Sequence, residues 1–139
     1  MEHQVHEILL IEDDADDAEL TIWALKKNNL ANPVHHIDDG EAALKFLFES
    51  GNRPALILLD LKLPRVDGIE ILQKLKRDPY RHDIPVIALI SSKEGKHYLE
   101  SFDVKPDAYM IKPVDYKQFV SSVHTLGINS MILAAPETQ

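Results

Sequence analysis

Apolar residues gather in five short runs along the chain: Ile8–Ile11, Val34–Ile37, Leu56–Leu59, Val86–Ile90 and Ala108–Ile111. Runs of this kind, without regular polar alternation, read as strands buried on both faces, the habit of parallel strands covered by helices. Between them the apolar positions change to helical spacing: Leu20, Trp23, Ala24 and Lys27, then Ala43, Leu44, Leu47 and Phe48, then Ile69, Leu72 and Leu75, and after the fifth run Phe119, Val120 and Val123. Strand and helix therefore alternate five times, which predicts an open parallel sheet with helices on both faces and right-handed crossovers. The helix expected between the fourth and fifth strands, Glu94 to Ser101, has few apolar positions and is expected to be short and mobile. Gly127 can end the last helix. Residues 1–127 read as one domain and 128–139 as a C-terminal tail, with Ile128–Leu133 apolar enough to pack and Ala134–Gln139 frayed.

Composition narrows the class. A chain of 139 residues with 45% hydrophobic content can bury roughly 68% of its extended surface in one core. Without cysteine there is no disulfide scaffold, thiolate metal site or thiol nucleophile. No apolar run approaches the roughly 20 residues that span a bilayer, and the first residues lack the pattern of a signal peptide, so a cytoplasmic location is expected, with no membrane partner. The net charge of −8, with no basic stripe interleaved with aromatics, argues against direct nucleic-acid binding.

In a flavodoxin-like sheet of order 2-1-3-4-5, ligands sit outside the carboxyl ends of the strands. Those ends carry Glu12-Asp13-Asp14, Asp60, Ser91-Ser92 and Lys112-Pro113. The first and third strands are neighbours in this order, so Glu12, Asp13 and Asp60 converge. At about 4 Å and an effective dielectric of about 20, each like-charge pair costs about 4 kcal/mol, which raises a carboxyl pKa or recruits a cation. Mg2+ answers this: it takes a few oxygen ligands, keeps several waters, and can add a backbone carbonyl such as that of Lys62. Asp14, Asp16, Asp17 and Glu19 read instead as an acidic helix start that suits the helix dipole. A carboxylate nucleophile that accepts a phosphoryl group needs a cation and a fixed ammonium, and Lys112 fits the second role. A cis Lys112–Pro113 bond would aim it inward. Ser91 offers a hydroxyl to a phosphoryl oxygen, Ser92 fits a helix cap, and Tyr109 has a plain reading as a half-buried aromatic.

These segments together resemble the receiver domain of two-component response regulators. The resemblance runs from Glu7 to about Leu126 and rests on Ile8-Leu9-Leu10-Ile11-Glu12-Asp13-Asp14, Leu59-Asp60 with Pro64 and Asp67-Gly68, Ser91-Ser92-Lys93, and Tyr109-Met110-Ile111-Lys112-Pro113. Asp78-Pro79 through Ile84-Pro85-Val86, with the Ser-Ser-Lys strand end, is most similar to single-domain receivers associated with phytochrome kinases. The resemblance implies Asp60 as phosphoacceptor, with Lys112 and Ser91 assisting. It implies Mg2+ held by Asp13, Asp60 and the Lys62 carbonyl, with Glu12 acting mainly through water, and Ser91 and Tyr109 as switch residues. A phosphoryl group of about −1.5 to −2 charge would then bias the face built from the fourth strand, the segment after it, the fifth strand and the last helix. The implied partners are a sensor histidine kinase of the phytochrome type and an unidentified downstream protein. A second copy of the chain is a further candidate, through the tail or that face. Three positions depart from the family pattern: Ser91 stands where threonine is common, Lys62 places a second ammonium near Asp60, and Lys105-Pro106 replaces a usual Gly-Ala pair.

Other classes fit less well. A receiver working as a phosphorylation-independent adaptor shares every motif. A haloacid-dehalogenase-like phosphatase wants a second acid where Lys62 stands, and a flavodoxin-type flavin module wants a phosphate-cradling loop after the first strand, where this chain has acids. Seven histidines without HExxH spacing or cysteine read as surface imidazoles rather than a transition-metal site.

Overall fold

The computed structural model describes residues 6–27, 30–63, 66–91, 100–101, 103–128 and 131–132. Five strands, β1 (Ile8–Ile11), β2 (Val34–Ile37), β3 (Leu56–Asp60), β4 (Val86–Ile90) and β5 (Ala108–Ile111), form one parallel sheet in the order β2-β1-β3-β4-β5. The described helices are α1 (Ala15–Lys26), α2 (Gly40–Phe48), α3 (Gly68–Arg77) and α4 (Tyr116–Leu126). The expected strand order and its flavodoxin-like architecture are therefore present. Most of the expected helix Glu94–Ser101 lies outside the described residues, as do Ser92, Lys93, Pro64 and Ala134–Gln139.

Two cores sit on opposite faces of the sheet, and the period of two along each strand divides the side chains between them. Leu9, Ile11, Ile57, Leu59, Val86 and Ala88 pack under α2 and α3, while Ile8, Leu10, Leu56, Leu58, Ile87, Leu89 and Met110 pack under α1 and α4. β1, β3 and β4 are buried at every position, but β2 is half-buried throughout and β5 mostly so. The expectation of two-sided burial thus fails at the sheet edges, where each strand has only one neighbouring strand.

Aspartates cap all four helices: Asp14, Asp39, Asp67 and Asp115 each accept a backbone N–H from the first turn. Gly127 closes α4 in the left-handed conformation at φ 69°, which glycine adopts at no steric cost. The stripe expected on α1 is corrected. Leu20 and Trp23 are 56% and 60% exposed, and the buried residues are Ala18, Thr21, Ala24 and Leu25. Small residues let α1 approach the sheet closely, and the indole lies outside under the Lys27 ammonium, 4.4 Å from the ring centre.

Beyond α4, Ile128 is buried and Met131 packs against the α1/α4 core. Fully buried Asn32 ties this segment down, its Nδ2 donating to the carbonyls of His6 (2.7 Å) and Met131 (2.8 Å).

Candidate functional site

Strand parity continues past the carboxyl edge of the sheet. Positions 8, 10 and 12, positions 56, 58 and 60, and positions 108, 110 and 112 all alternate onto the α1/α4 face, so Glu12, Asp60 and Lys112 converge there. Asp60 is the last residue of β3, as expected, and pairs with Leu89 of β4. Lys112 stays in the ladder one residue beyond β5, its N–H donating to Ile90 O at 2.8 Å. The Lys112–Pro113 peptide is cis.

Lys112 Nζ lies 2.8 Å from Glu12 Oε2, 3.1 Å from Asp60 Oδ2 and 3.3 Å from Asp17 Oδ2. The other Asp60 oxygen, Oδ1, accepts the backbone N–H of Lys62 at 3.0 Å; the Lys62 side chain is exposed. Glu12 is 1% exposed and Asp60 5%, whereas Asp13 faces solvent. One carboxylate oxygen from each of Glu12, Asp13 and Asp60 falls within 4.8 Å of the others. Ser91 follows β4 two residues after Leu89, the partner of Asp60, and shares its parity. Tyr109, on β5, is 40% exposed.

Burial drives the Glu12 carboxyl up from 4.5 to about 7, with the negative charge of Asp60 adding to the rise and the Lys112 ammonium opposing it. Burial alone would lower Lys112, but its contacts with Glu12 and Asp60 outweigh that and hold it above the ordinary lysine value. Glu12 Oε2 is buried and meets the Lys112 ammonium at 2.8 Å. A hard cation would suit this cluster, because such an ion prefers oxygen donors: Asp13 and Asp60 could reach it directly and Glu12 through water.

The native state holds the Glu12 proton more tightly than the unfolded chain, so the contribution of this group to stability is fully present below about pH 4.5 and is lost as pH rises through about 7. Glu12→Gln, neutral throughout, is expected to match the wild type near pH 4.5 and exceed it at pH 8 by on the order of 3 kcal/mol without divalent ions. Urea unfolding at both pH values measures this, and a pH-independent difference would refute it.

Backbone packing fixes the loop after Asp60. The N–H of Gly68 donates to Leu61 O at 3.2 Å, and a Cβ at Gly68 would strike the Asp60 carbonyl oxygen and come within 2.6 Å of Leu61 Cα. Gly68→Ala is expected to cost about 2 kcal/mol or more, as overpacking against backbone does, and to displace Asp60; thermal unfolding together with the Asp60 and Lys62 amide shifts reads both.

Three residues of this site escaped the sequence reading. Asp17, assigned to a solvated helix start, also reaches Lys112. His36, assigned to the surface, is half-buried, and its Nε2 donates to the Glu12 carbonyl at 2.7 Å. Gln118 on α4 brackets Lys112: its Oε1 accepts from Ile111 N (3.1 Å), and its Nε2 donates to Ile111 O (3.1 Å) and Pro113 O (3.3 Å). Asp17 was legible only in that the third residue of a helix begun at Asp14 faces back toward the cap. The other two give no sequence signal.

The family model described as "Response regulator receiver domain" matches residues 8–124. "Response regulator Rcp1" of Synechocystis sp. is 35% identical over 131 residues, covering 91% of this chain and 88% of that protein, and a structure described as its Mn(2+)-bound form superposes with TM-score 0.71 at 31% identity, covering 95% of this chain and 99% of the other. The bacteriophytochrome response regulator AtBRR superposes with TM-score 0.85 at 38% identity, covering 99% of this chain and 100% of that one. RtBRR, also described as a bacteriophytochrome response regulator, gives 0.82 at 39%, covering 98% and 84%. No helix among the described residues is long and apolar enough to cross a membrane. With strand order, carboxylate cluster and sequence match in agreement, the chain belongs to the response regulator receiver domain family.

Proposed function

We propose that this receiver accepts a phosphoryl group on Asp60 from the phosphohistidine of a sensor histidine kinase, with Mg2+ at Asp13, Asp60 and the Lys62 carbonyl and with Glu12 acting mainly through water. The supporting observation is the buried Asp60 carboxylate, held at one oxygen by the Lys62 N–H and at the other by Lys112 Nζ beside two further acids. An Asp60 oxygen attacks phosphorus; the new P–O bond forms as the P–N bond to the kinase imidazole breaks, and the imidazole leaves with the bonding pair. Lys112 offsets the negative charge gathered on the phosphoryl oxygens. Asp13, Asp60 and the Lys62 carbonyl would hold a divalent ion whose charge would offset the rest. Hydrolysis then returns the carboxylate and inorganic phosphate.

Ser91 and Tyr109 are the proposed switch. By strand parity Ser91 shares the face of Asp60, and its hydroxyl would donate to the phosphoryl group, while Tyr109, 40% exposed, would change rotamer. The proposed output face is β4, the segment Glu94–Ser101, β5 and α4, read by a protein partner. Similarity to two bacteriophytochrome response regulators supports a phytochrome-type kinase. Acetyl phosphate with Mg2+ is expected to add one phosphoryl group by intact mass, and EDTA is expected to prevent it. No mass gain from acetyl phosphate or from any purified histidine kinase would overturn the reading.

A further inference from the structure

We propose that His36 is a positioning residue that aims Asp13 into the carboxylate cradle by clamping the Glu12–Asp13 peptide; the inference rests on the divalent-ion reading of that cradle. Parity places His36 with Val34 on the same side of the sheet as Glu12, and register pairs it with Leu10. The ladder between β1 and β2 runs one residue past β1, with Glu12 N donating to the carbonyl of Ile37, the last residue of β2, at 3.1 Å. β2 ends at Ile37, so the donor for the Glu12 carbonyl comes from a side chain: the His36 ring, at 2.7 Å. Because a carbonyl can only accept, this contact fixes the proton on Nε2.

That carbonyl belongs to the peptide that sets the direction of Asp13. The peptide on the other side is held as well, Asp14 N donating to Glu12 Oε1 at 3.3 Å. Asp13 is exposed, so burial in the core does not set the direction of its carboxylate. Its placement within 4.8 Å of the Glu12 and Asp60 oxygens therefore rests on two clamped peptide planes, and His36 supplies one of them. Partners one step removed from the ligands commonly control metal affinity in this way.

Mn2+ binding, followed by the EPR signal of the free ion, tests the role without reference to phosphorylation. His36→Phe removes the donor and is expected to weaken Mn2+ binding on the order of tenfold. His36→Gln carries an amide N–H at about the reach of Nε2 and is expected to restore affinity to within about twofold, because a similar hydrogen bond re-forms. His36→Asn places its amide one methylene short and is expected to behave like His36→Phe. Thermal unfolding of the metal-free proteins separates positioning from general damage, and if His36→Phe does not fold, the Asn and Gln variants carry the comparison. Equal affinities in Gln and Asn, or wild-type affinity in Phe, would overturn the role of His36 alone. Absence of Mn2+ binding by the wild type would overturn the cation cradle and this inference together.

Discussion

Replacing Asp60 with asparagine is expected to abolish phosphoryl incorporation from acetyl phosphate and Mg2+, taking the intact-mass gain from one group per chain to none. The amide is nearly isosteric, and its oxygen can still accept the Lys62 N–H that now meets Oδ1. What disappears is the anionic oxygen: an amide lone pair is delocalised and does not displace imidazole or acetate from phosphorus. Folding should survive, because Lys112 keeps Glu12 at 2.8 Å and Asp17 at 3.3 Å and the strand pairing of residue 60 with Leu89 involves only backbone. A mass gain persisting in Asp60→Asn would move the acceptor to another acid, with Asp13 the nearest solvent-facing choice.

Removing the ammonium is expected to have the largest effect on stability. Lys112→Met leaves Glu12 and Asp60, 1% and 5% exposed, as neighbouring buried acids without their cation, and breaking such a pair from one side typically costs about 3–5 kcal/mol. The loss should be largest above about pH 7, where Glu12 would otherwise ionise, and should shrink in acid as the carboxyl takes up a proton. Millimolar Mg2+ should recover part of it, because a divalent ion meets the same excess of negative charge. Urea unfolding with EDTA and with Mg2+ gives both numbers; a difference from wild type below about 1 kcal/mol under both conditions would show that Lys112 does not balance these acids.

Most of the architecture was legible because buried parallel strands leave a strong signature: runs such as Leu56–Leu59 and Val86–Ile90 have few other uses, and their ends mark the working edge of the sheet. Glu12, Asp60 and Lys112 could be found because they interrupt apolar runs where a charge needs a reason. Surface geometry was less legible. On α1 the larger apolar residues suggested the wrong face, since a helix pressed close to a sheet favours Ala18, Ala24 and Thr21 over Trp23. His36 and Gln118 act through backbone carbonyls, and a carbonyl has no letter in the sequence. Asp17 lay among four other acids from Asp13 to Glu19, and only the three-dimensional course of α1 distinguishes the one that reaches across to Lys112.

The bracket that Gln118 forms around Lys112 couples two parts of the molecule mechanically. Its three hydrogen bonds join the backbone on either side of the lysine to the opening turn of α4, while Asp115 fastens that same residue's N–H at 2.7 Å. Lysine loop and helix start are therefore tied to one another, so that a shift of the ammonium would be handed to the beginning of α4 through hydrogen bonds rather than through a free loop.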